Sequence, residues 1–246
     1  MWTVRQGFST ILMALFVFEG TTACSQFRFN PREPLPDARM VTKRASASLG
    51  VLTPRDERPL MGSNAVPVGI FLPVPYVSVS IDRPERFIGM ANNQYRGTQE
   101  TLGMQIQRST MSALSRSGIF QRVVAIPPTA NFRDIRCDRY LELELHSTRA
   151  KGVTPTYFVT YIGASPLYLI GFPYWIGRQD LFVDAALLDG KTLKPLWKKP
   201  YRRTSPRSYR GIVYGEDPTR AANRLLGEIL VEMMEDLAAV EGTSRK

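Results

Sequence analysis

Residues Arg139–His146 read RYLELELH, and this stretch decides the fold class. Leu141, Leu143 and Leu145 alternate with Glu142, Glu144 and His146, a period of two that sends one set toward an apolar interior and the other outward. That is the pattern of a half-buried antiparallel strand. Downstream, DLFVDAALLDGKTLKPLWKK at 180–199 reads as two strands joined at Asp189-Gly190, with Pro195 placing the second at an edge or on a bulge. Upstream, Ala47 to Leu52 is a short strand halted by Pro54. VPVGIFLPVPYVSVSI at 66–81 is rich in β-branched residues, but Pro73 and Pro75 confine it to an edge or to two pieces. FQRVVAIPP at 120–128 is one more strand, ended by its prolines.

Two stretches carry helical spacing instead. In TQETLGMQIQRSTMSALSRSG at 98–118, Thr98 can cap the start, and Leu102, Ile106, Thr110, Ala113 and Leu114 form one stripe before Gly118 permits the stop. In DPTRAANRLLGEILVEMMEDLAAV, Asp217 caps, Pro218 opens the helix, and Ala222, Leu225, Leu226, Ile229, Leu230, Met233, Leu237 and Val240 repeat. The order of elements predicts an α/β fold of the α+β type: a mixed or antiparallel sheet with two amphipathic helices on one face. One domain is expected over 45–241, with an aromatic insertion at 152–177.

The amino-terminal stretch supplies an address. Arg5, the apolar run from Phe8 to Phe18 and the small residues from Gly20 to Cys24 have the form of a signal peptide over 1–23, too short in its apolar part for a membrane span. TTAC at 21–24 resembles a bacterial lipobox, with Thr21 where that motif usually has leucine. The resemblance implies lipid attachment at Cys24 and, with Ser25 following it, passage to the outer membrane, facing the periplasm. Cleavage after Ala23 without lipidation would leave a soluble periplasmic or secreted protein. Residues 24–44, with three prolines and mixed charge, read as a flexible tether. Only Cys24 and Cys137 occur, so lipidation of the first leaves Cys137 as a small buried hydrophobe.

GVLTPRDERP, then a helix ending ALSRSGIFQRVV, then YLELELHSTRA, LFVDAALLDGKTLKPLW and a terminal amphipathic helix together resemble a group of envelope lipoproteins. Their α/β domain is similar to the amino-terminal domain of TolB, to the lipoprotein activators of penicillin-binding proteins and to the curli secretion-channel lipoprotein. The resemblance covers about 45–240 and implies an adaptor facing the periplasm. It brings no catalytic residues with it.

Three features stand as candidate sites. Residues 152–177 carry no charge, but Pro155, Pro166, Pro173, Gly163 and Gly171 interrupt any helix and argue against a single-helix span. The run is therefore extended core segments folded over the sheet, an exposed platform of Tyr168, Phe172, Tyr174 and Trp175 for a partner or a membrane, or a transmembrane hairpin. KTLKPLWKKPYRRTSPRSYR at 191–210 has basic residues and no acid, and Lys198, Lys199, Arg202 and Arg203 are candidate contacts for an anionic ligand. With a net charge of +10, nucleic acid would deserve attention in a cytosolic protein; export favours phospholipid, lipopolysaccharide phosphate or an acidic partner, against the plainer reading of a solvated hairpin. Glu142, Glu144 and the single histidine, His146, share a face, but alternate residues on a strand lie nearly 7 Å apart at about 3.3 Å per residue, so no metal is expected there. Asp56 and Arg58 are expected to pair locally and fix a turn. With no nucleophile elbow, phosphate loop or zinc spacing, the sequence points to a non-catalytic lipoprotein, without cofactor, acting on an envelope partner through protein–protein contacts. A soluble hydrolase or glycan-binding module, and a subunit of a homo-oligomeric export channel, are the alternatives.

Overall fold

The computed structural model describes residues 46–58, 76–81, 102–129, 135–155, 157, 166–173, 175–210 and 218–243. The leader, Cys24 and the tether, Tyr174, and the helix caps at Thr98 and Asp217 lie outside them. The described elements, in chain order, are β1 (Ser48–Leu52), β2 (Arg55–Asp56), β3 (Tyr76–Ile81), α1 (Leu102–Ser117), β4 (Arg122–Ile126), β5 (Arg139–Ser147), β6 (Ala150–Pro155), β7 (Trp175–Asp189), β8 (Pro195–Thr204), β9 (Ser208–Arg210) and α2 (Pro218–Thr243).

β7 is the spine. Its amino-terminal end pairs antiparallel with β6 and β9, and the remainder pairs antiparallel with β5 and β8. β5 runs on into β6 along one flank, and β8 into β9 along the other. β1 joins β5 in parallel and β4 joins β1 in parallel, so the sheet is mixed, in the order β3-β6-β7-β5-β1-β4. Among the described strands β3 pairs with β6 alone, at one end of the strand order.

Alternation decides which face is which. Leu141, Leu143 and Leu145 of β5 and Leu181, Val183, Ala185 and Leu187 of β7 all lie in the buried core with Leu49 and Val51 of β1. Both helices cover that face. Leu102, Ile106, Ala113 and Leu114 come from α1, and Ala222, Leu225, Leu226, Ile229, Leu230, Met233 and Leu237 from α2, all buried as their stripes imply. Thr110 is buried too, on the same stripe. Gln107 is polar and buried, a position the apolar stripe does not flag; its Nε2 donates to the carbonyls of Val51 at 2.7 Å and Ile126 at 2.9 Å, tying α1 to the ends of β1 and β4. Gly118 ends α1 in the left-handed region at φ 69°. No helix among the described residues is long and apolar enough to cross a membrane.

Two local expectations are met and one is refined. Arg58 is buried: its Nε donates to Asp56 Oδ1 at 2.8 Å, its Nη2 to Oδ2 at 2.8 Å, and its Nη1 to Thr148 Oγ1 at 2.6 Å, so this pair does fix the turn after β2. Pro195 sits at a register shift opposite Leu188, and β8 is an edge strand in its pairing. The β7–β8 connection, however, is not a two-residue turn at Asp189-Gly190. It runs from Gly190 to Lys194, with Leu193 rather than the glycine at positive φ (57°). Asp189 organises it, its Oδ2 accepting the backbone N–H groups of Lys191 and Thr192 and the Thr192 hydroxyl. Gly190 is required for another reason: a Cβ there would run into the carbonyl of Cys137 and the backbone of Asp138, to whose oxygen Gly190 N donates at 2.9 Å. Gly190→Ala is expected to destabilise the domain by about 1–3 kcal/mol, the range of core overpacking, with Lys191→Ala within about 0.5 kcal/mol of wild type. Urea unfolding monitored by tryptophan fluorescence measures both.

Candidate contact surfaces

The same alternation that fills the core sets out a second, polar face. On the side of the sheet away from the helices stand Glu142, Glu144 and His146 of β5, Phe182 and Asp184 of β7, and Lys198 and Arg202 of β8. Glu144 lies directly opposite Asp184, a like-charge cross-strand pair that needs compensation. Arg55 bonds Glu142 and reaches Glu144 at 3.3 Å, Lys198 reaches Glu144 at 4.0 Å, and His146 Nε2 stands 3.4 Å from Asp184 Oδ2 and 4.0 Å from Glu144 Oε2. His146 also packs on Phe182, with ring centroids 4.7 Å apart, and the Arg202 guanidinium stacks on the other ring contact of Phe182 at 4.1 Å. Two atoms in this network, His146 Nε2 and Asp184 Oδ1, are shielded from water and hydrogen-bonded to nothing.

Glu142, Glu144 and His146 belong to one strand. The neighbouring strand contributes Asp184, so that one ligand atom each from Glu144, His146 and Asp184 lies within 4.8 Å of the others. Such a set could converge on a cation after side-chain rotation, but Lys198 and Arg55 already balance Glu144. The arrangement as it stands is a compensated ionic surface.

The pleat of β8 divides the candidate anionic-ligand contacts Lys198, Lys199, Arg202 and Arg203 between the two sides of the sheet. Lys198 and Arg202 lie on the open face, whereas Lys199 and Arg203 turn to the helix side and are consumed there. Lys199 Nζ reaches Asp236 at 2.7 Å and Glu232 at 2.9 Å, and Arg203 bonds Glu232 and approaches Glu228 at 3.8 Å. Between them Tyr201, 1% exposed, donates its hydroxyl to Asp236 Oδ2 at 2.7 Å. Burial first, and then this bond, hold the Tyr201 hydroxyl far above its ordinary pKa. Hydrogen bonding to Lys199 holds Glu232 below the ordinary carboxylate range, and bonds to Asp236 and Glu232 raise Lys199. The acids on α2 that face β8 gave no sign of this in the sequence, because their partners lie some 30 residues away.

Of the four residues of the candidate aromatic platform, Tyr174 lies outside the described residues, and Tyr168, Phe172 and Trp175 differ in exposure. Tyr168 is 3% exposed, its hydroxyl donating to the Pro155 carbonyl at 2.6 Å. Trp175 is half-buried and lies flat over a glycine floor: a Cβ on Gly152 would meet its Nε1 at 2.6 Å, and one on Gly177 would strike its ring. Residues 166–169 form a helical turn rather than an extended segment. Phe172 does face outward, 45% exposed, with Leu169 at 43% and Ile170 at 73%. Leu169 and Ile170 are not among the residues the sequence marks; the Gly171-Phe172-Pro173 sequence, where Gly171 takes φ 103°, is the local signal of the reversal that exposes them.

Cys137 is free and partly buried, and burial raises its thiol pKa, the opposite of an activated nucleophile.

No protein-family model matches the chain, and no curated protein sequence does. Among solved structures it is similar to a Xanthomonas campestris protein of the family DUF330, at TM-score 0.46 and 12% identity over 85% of this chain and 91% of that one. It is also similar to a PelC dodecamer subunit from Paraburkholderia phytofirmans (TM-score 0.39, 12% identity, 77% and 90% covered) and to lipoprotein GNA1162 from Neisseria meningitidis (TM-score 0.30, 13% identity, 78% and 99% covered). Likenesses at this level carry no conclusion about activity or partner.

The clamp has a pH signature. A depressed carboxylate pKa contributes stability above the unfolded value and loses it as pH falls through the folded one; the raised Lys199 contributes below its unfolded value and loses it only at strongly alkaline pH. Glu232→Gln should therefore lower the melting temperature throughout the neutral range, with the gap to wild type closing as pH drops below about 4.3. Separately, Tyr168→Phe leaves the Pro155 carbonyl unpaired, at an expected cost of about 1–3 kcal/mol by urea unfolding.

Proposed function

We propose that this chain is a non-catalytic outer-membrane lipoprotein, anchored through Cys24, that serves as an adaptor or accessory factor in the cell envelope by docking a protein on the open face of its sheet. One observation carries the reading. The fold is two-layered, with both described helices on one face, while the other presents an ordered set of charges from three strands. In that set His146 Nε2 and Asp184 Oδ1 lack hydrogen-bond partners. A surface of fixed, alternating charge, with Phe182 beneath Arg202 at its edge, suits a partner of complementary polarity: such contacts set register and specificity more than raw affinity. The partner is a different envelope protein or a second copy of this chain.

A hydrolytic or glycan-binding role is the second reading, and the grouping of Glu142, Glu144, Asp184 and His146 favours it. Glu142 and Glu144 are engaged with Arg55 and Lys198, and Asp184 faces His146 through Oδ2, which weighs against this reading although Asp184 Oδ1 has no hydrogen-bond partner.

A photoreactive residue at Glu142 or Lys198 should crosslink in cells to one defined protein, while the same residue at Met104, exposed on α1, should not. Equal capture from both sides, or none from the sheet face, would overturn the docking assignment. The anchor is read independently by metabolic labelling with a palmitate analogue: wild type should label and Cys24→Ala should not, and equal absence of label removes the anchor.

A further inference from the structure

We infer that Glu144, His146 and Asp184 form a binding site for a divalent transition-metal ion of the zinc type, on the open face of the sheet. The three come together because β5 is not a regular strand at this point. Glu144 stands directly opposite Asp184, while the register of β5 on β7 shifts between Leu145, opposite Val183, and Ser147, opposite Phe182. His146 is the residue at the shift. A bulge leaves its extra residue unpaired and redirects its side chain, and here the imidazole rests on the Phe182 ring, with centroids 4.7 Å apart. Its Nε2 thereby stands 4.0 Å from Glu144 Oε2 and 3.4 Å from Asp184 Oδ2. Alternate residues of a straight strand would be roughly 7 Å apart, at about 3.3 Å per residue.

What these atoms lack points to a cation. His146 Nε2 and Asp184 Oδ1 are both shielded from water, and neither has a hydrogen-bond partner. The imidazole nitrogen thus bonds to neither of the carboxylates it faces, and polar atoms left dry and unpaired are costly. A metal ion removes both deficits at once. It accepts a lone pair from the neutral imidazole and one from each carboxylate, and its charge offsets two acids that the register forces to oppose each other. The distances suit it: ligand atoms around a tetrahedral ion with bonds of about 2.0–2.1 Å lie about 3.3 Å apart. The His146–Asp184 separation of 3.4 Å is already close to this, and the His146–Glu144 separation of 4.0 Å closes by rotation of the glutamate side chain. One imidazole with two carboxylates selects zinc and its first-row neighbours over magnesium and calcium, which favour oxygen alone. Three protein ligands leave a fourth position, which falls to water because the three side chains are each partly exposed.

The neighbouring cations do not fill this site. Arg55 reaches Glu144 through Oε1 at 3.3 Å and leaves Oε2 toward His146, so it orients the ligand rather than competing for it. Lys198 is the competitor, its Nζ 4.0 Å from that same Oε2, but its side chain is 59% exposed and able to swing away. Among the described residues Asp184 has no charged neighbour except His146. An ion held here needs no docked protein, so the site stands or falls separately from the docking role.

The test is zinc binding by the full chain, expressed and processed in bacteria and purified without a polyhistidine tag. The parent carries Cys137→Ser, so that this thiol does not compete. Isothermal titration with zinc chloride should give one site per chain. His146→Gln and Asp184→Asn should each weaken it at least as much as loss of an outer-shell partner does, about 10–100-fold, and Lys198→Ala should tighten it several-fold. Asp184→Asn also relieves the like-charge pair with Glu144, so without metal it should melt no lower than the parent. A rise in melting temperature on adding zinc, present in the parent and absent in Asp184→Asn, then reads the site apart from the fold. Cobalt(II) in place of zinc should give visible d–d bands of nitrogen and oxygen coordination. A thiolate charge-transfer band instead, which would put the ion on Cys24, overturns the assignment; so does zinc binding that is absent at submillimolar concentration, unchanged in His146→Gln, or equalled by magnesium.

Discussion

A single register constraint underlies everything described. Along β5, β7 and β8 the side chains alternate, and pairing Glu144 with Asp184 and Val183 with Tyr201 sends every second residue of all three strands to the same side. A slip of one residue would turn Leu143, Val183 and Tyr201 outward and bury Glu144, Asp184 and Lys198, so burial itself enforces the register. From this come both the apolar face that receives the helices and the ionic face that lacks them.

The strand that feels this constraint most is β8, whose outer side has no further strand in the described sheet. A lone edge strand presents unpaired backbone groups, and here Pro195 and Pro200 remove donors while lysines and arginines discourage pairing with another chain. The side chains on its inner face then do a second task, holding α2 against the sheet through Lys199, Tyr201 and Arg203 on Glu232 and Asp236. Surface ion pairs are individually weak, but several sharing the same acids around a buried tyrosine form a network in which each side chain limits the freedom of the next. The positive charge that looked available for a ligand is in good part structural.

The architecture was legible wherever a local period or a breaker carries the information. RYLELELH, the two helical stripes, Gly118, Pro195 and the confinement of β3 to an edge all needed only neighbouring residues, and the mixed α/β sheet follows from them. The candidate surfaces were legible in part. Asp184 completes a cluster with Glu144 and His146 across strands some 40 residues apart, and Lys199 meets Asp236 at a similar separation; no pattern within a window contains such pairs. The run at 152–177 left core segments and an exposed platform both open, because no local period divides them: the reversal at Gly171 buries Tyr168, whose hydroxyl has a carbonyl to reach, and exposes Ile170.

β7 continues without a break from Trp175 to Asp189, shared by both halves of the sheet and pinned on both flanks. At about 3.3 Å per residue such a strand is a strut roughly 50 Å long. The Gly190–Lys194 connection and the Trp175 end therefore stand at opposite ends of one unbroken strand.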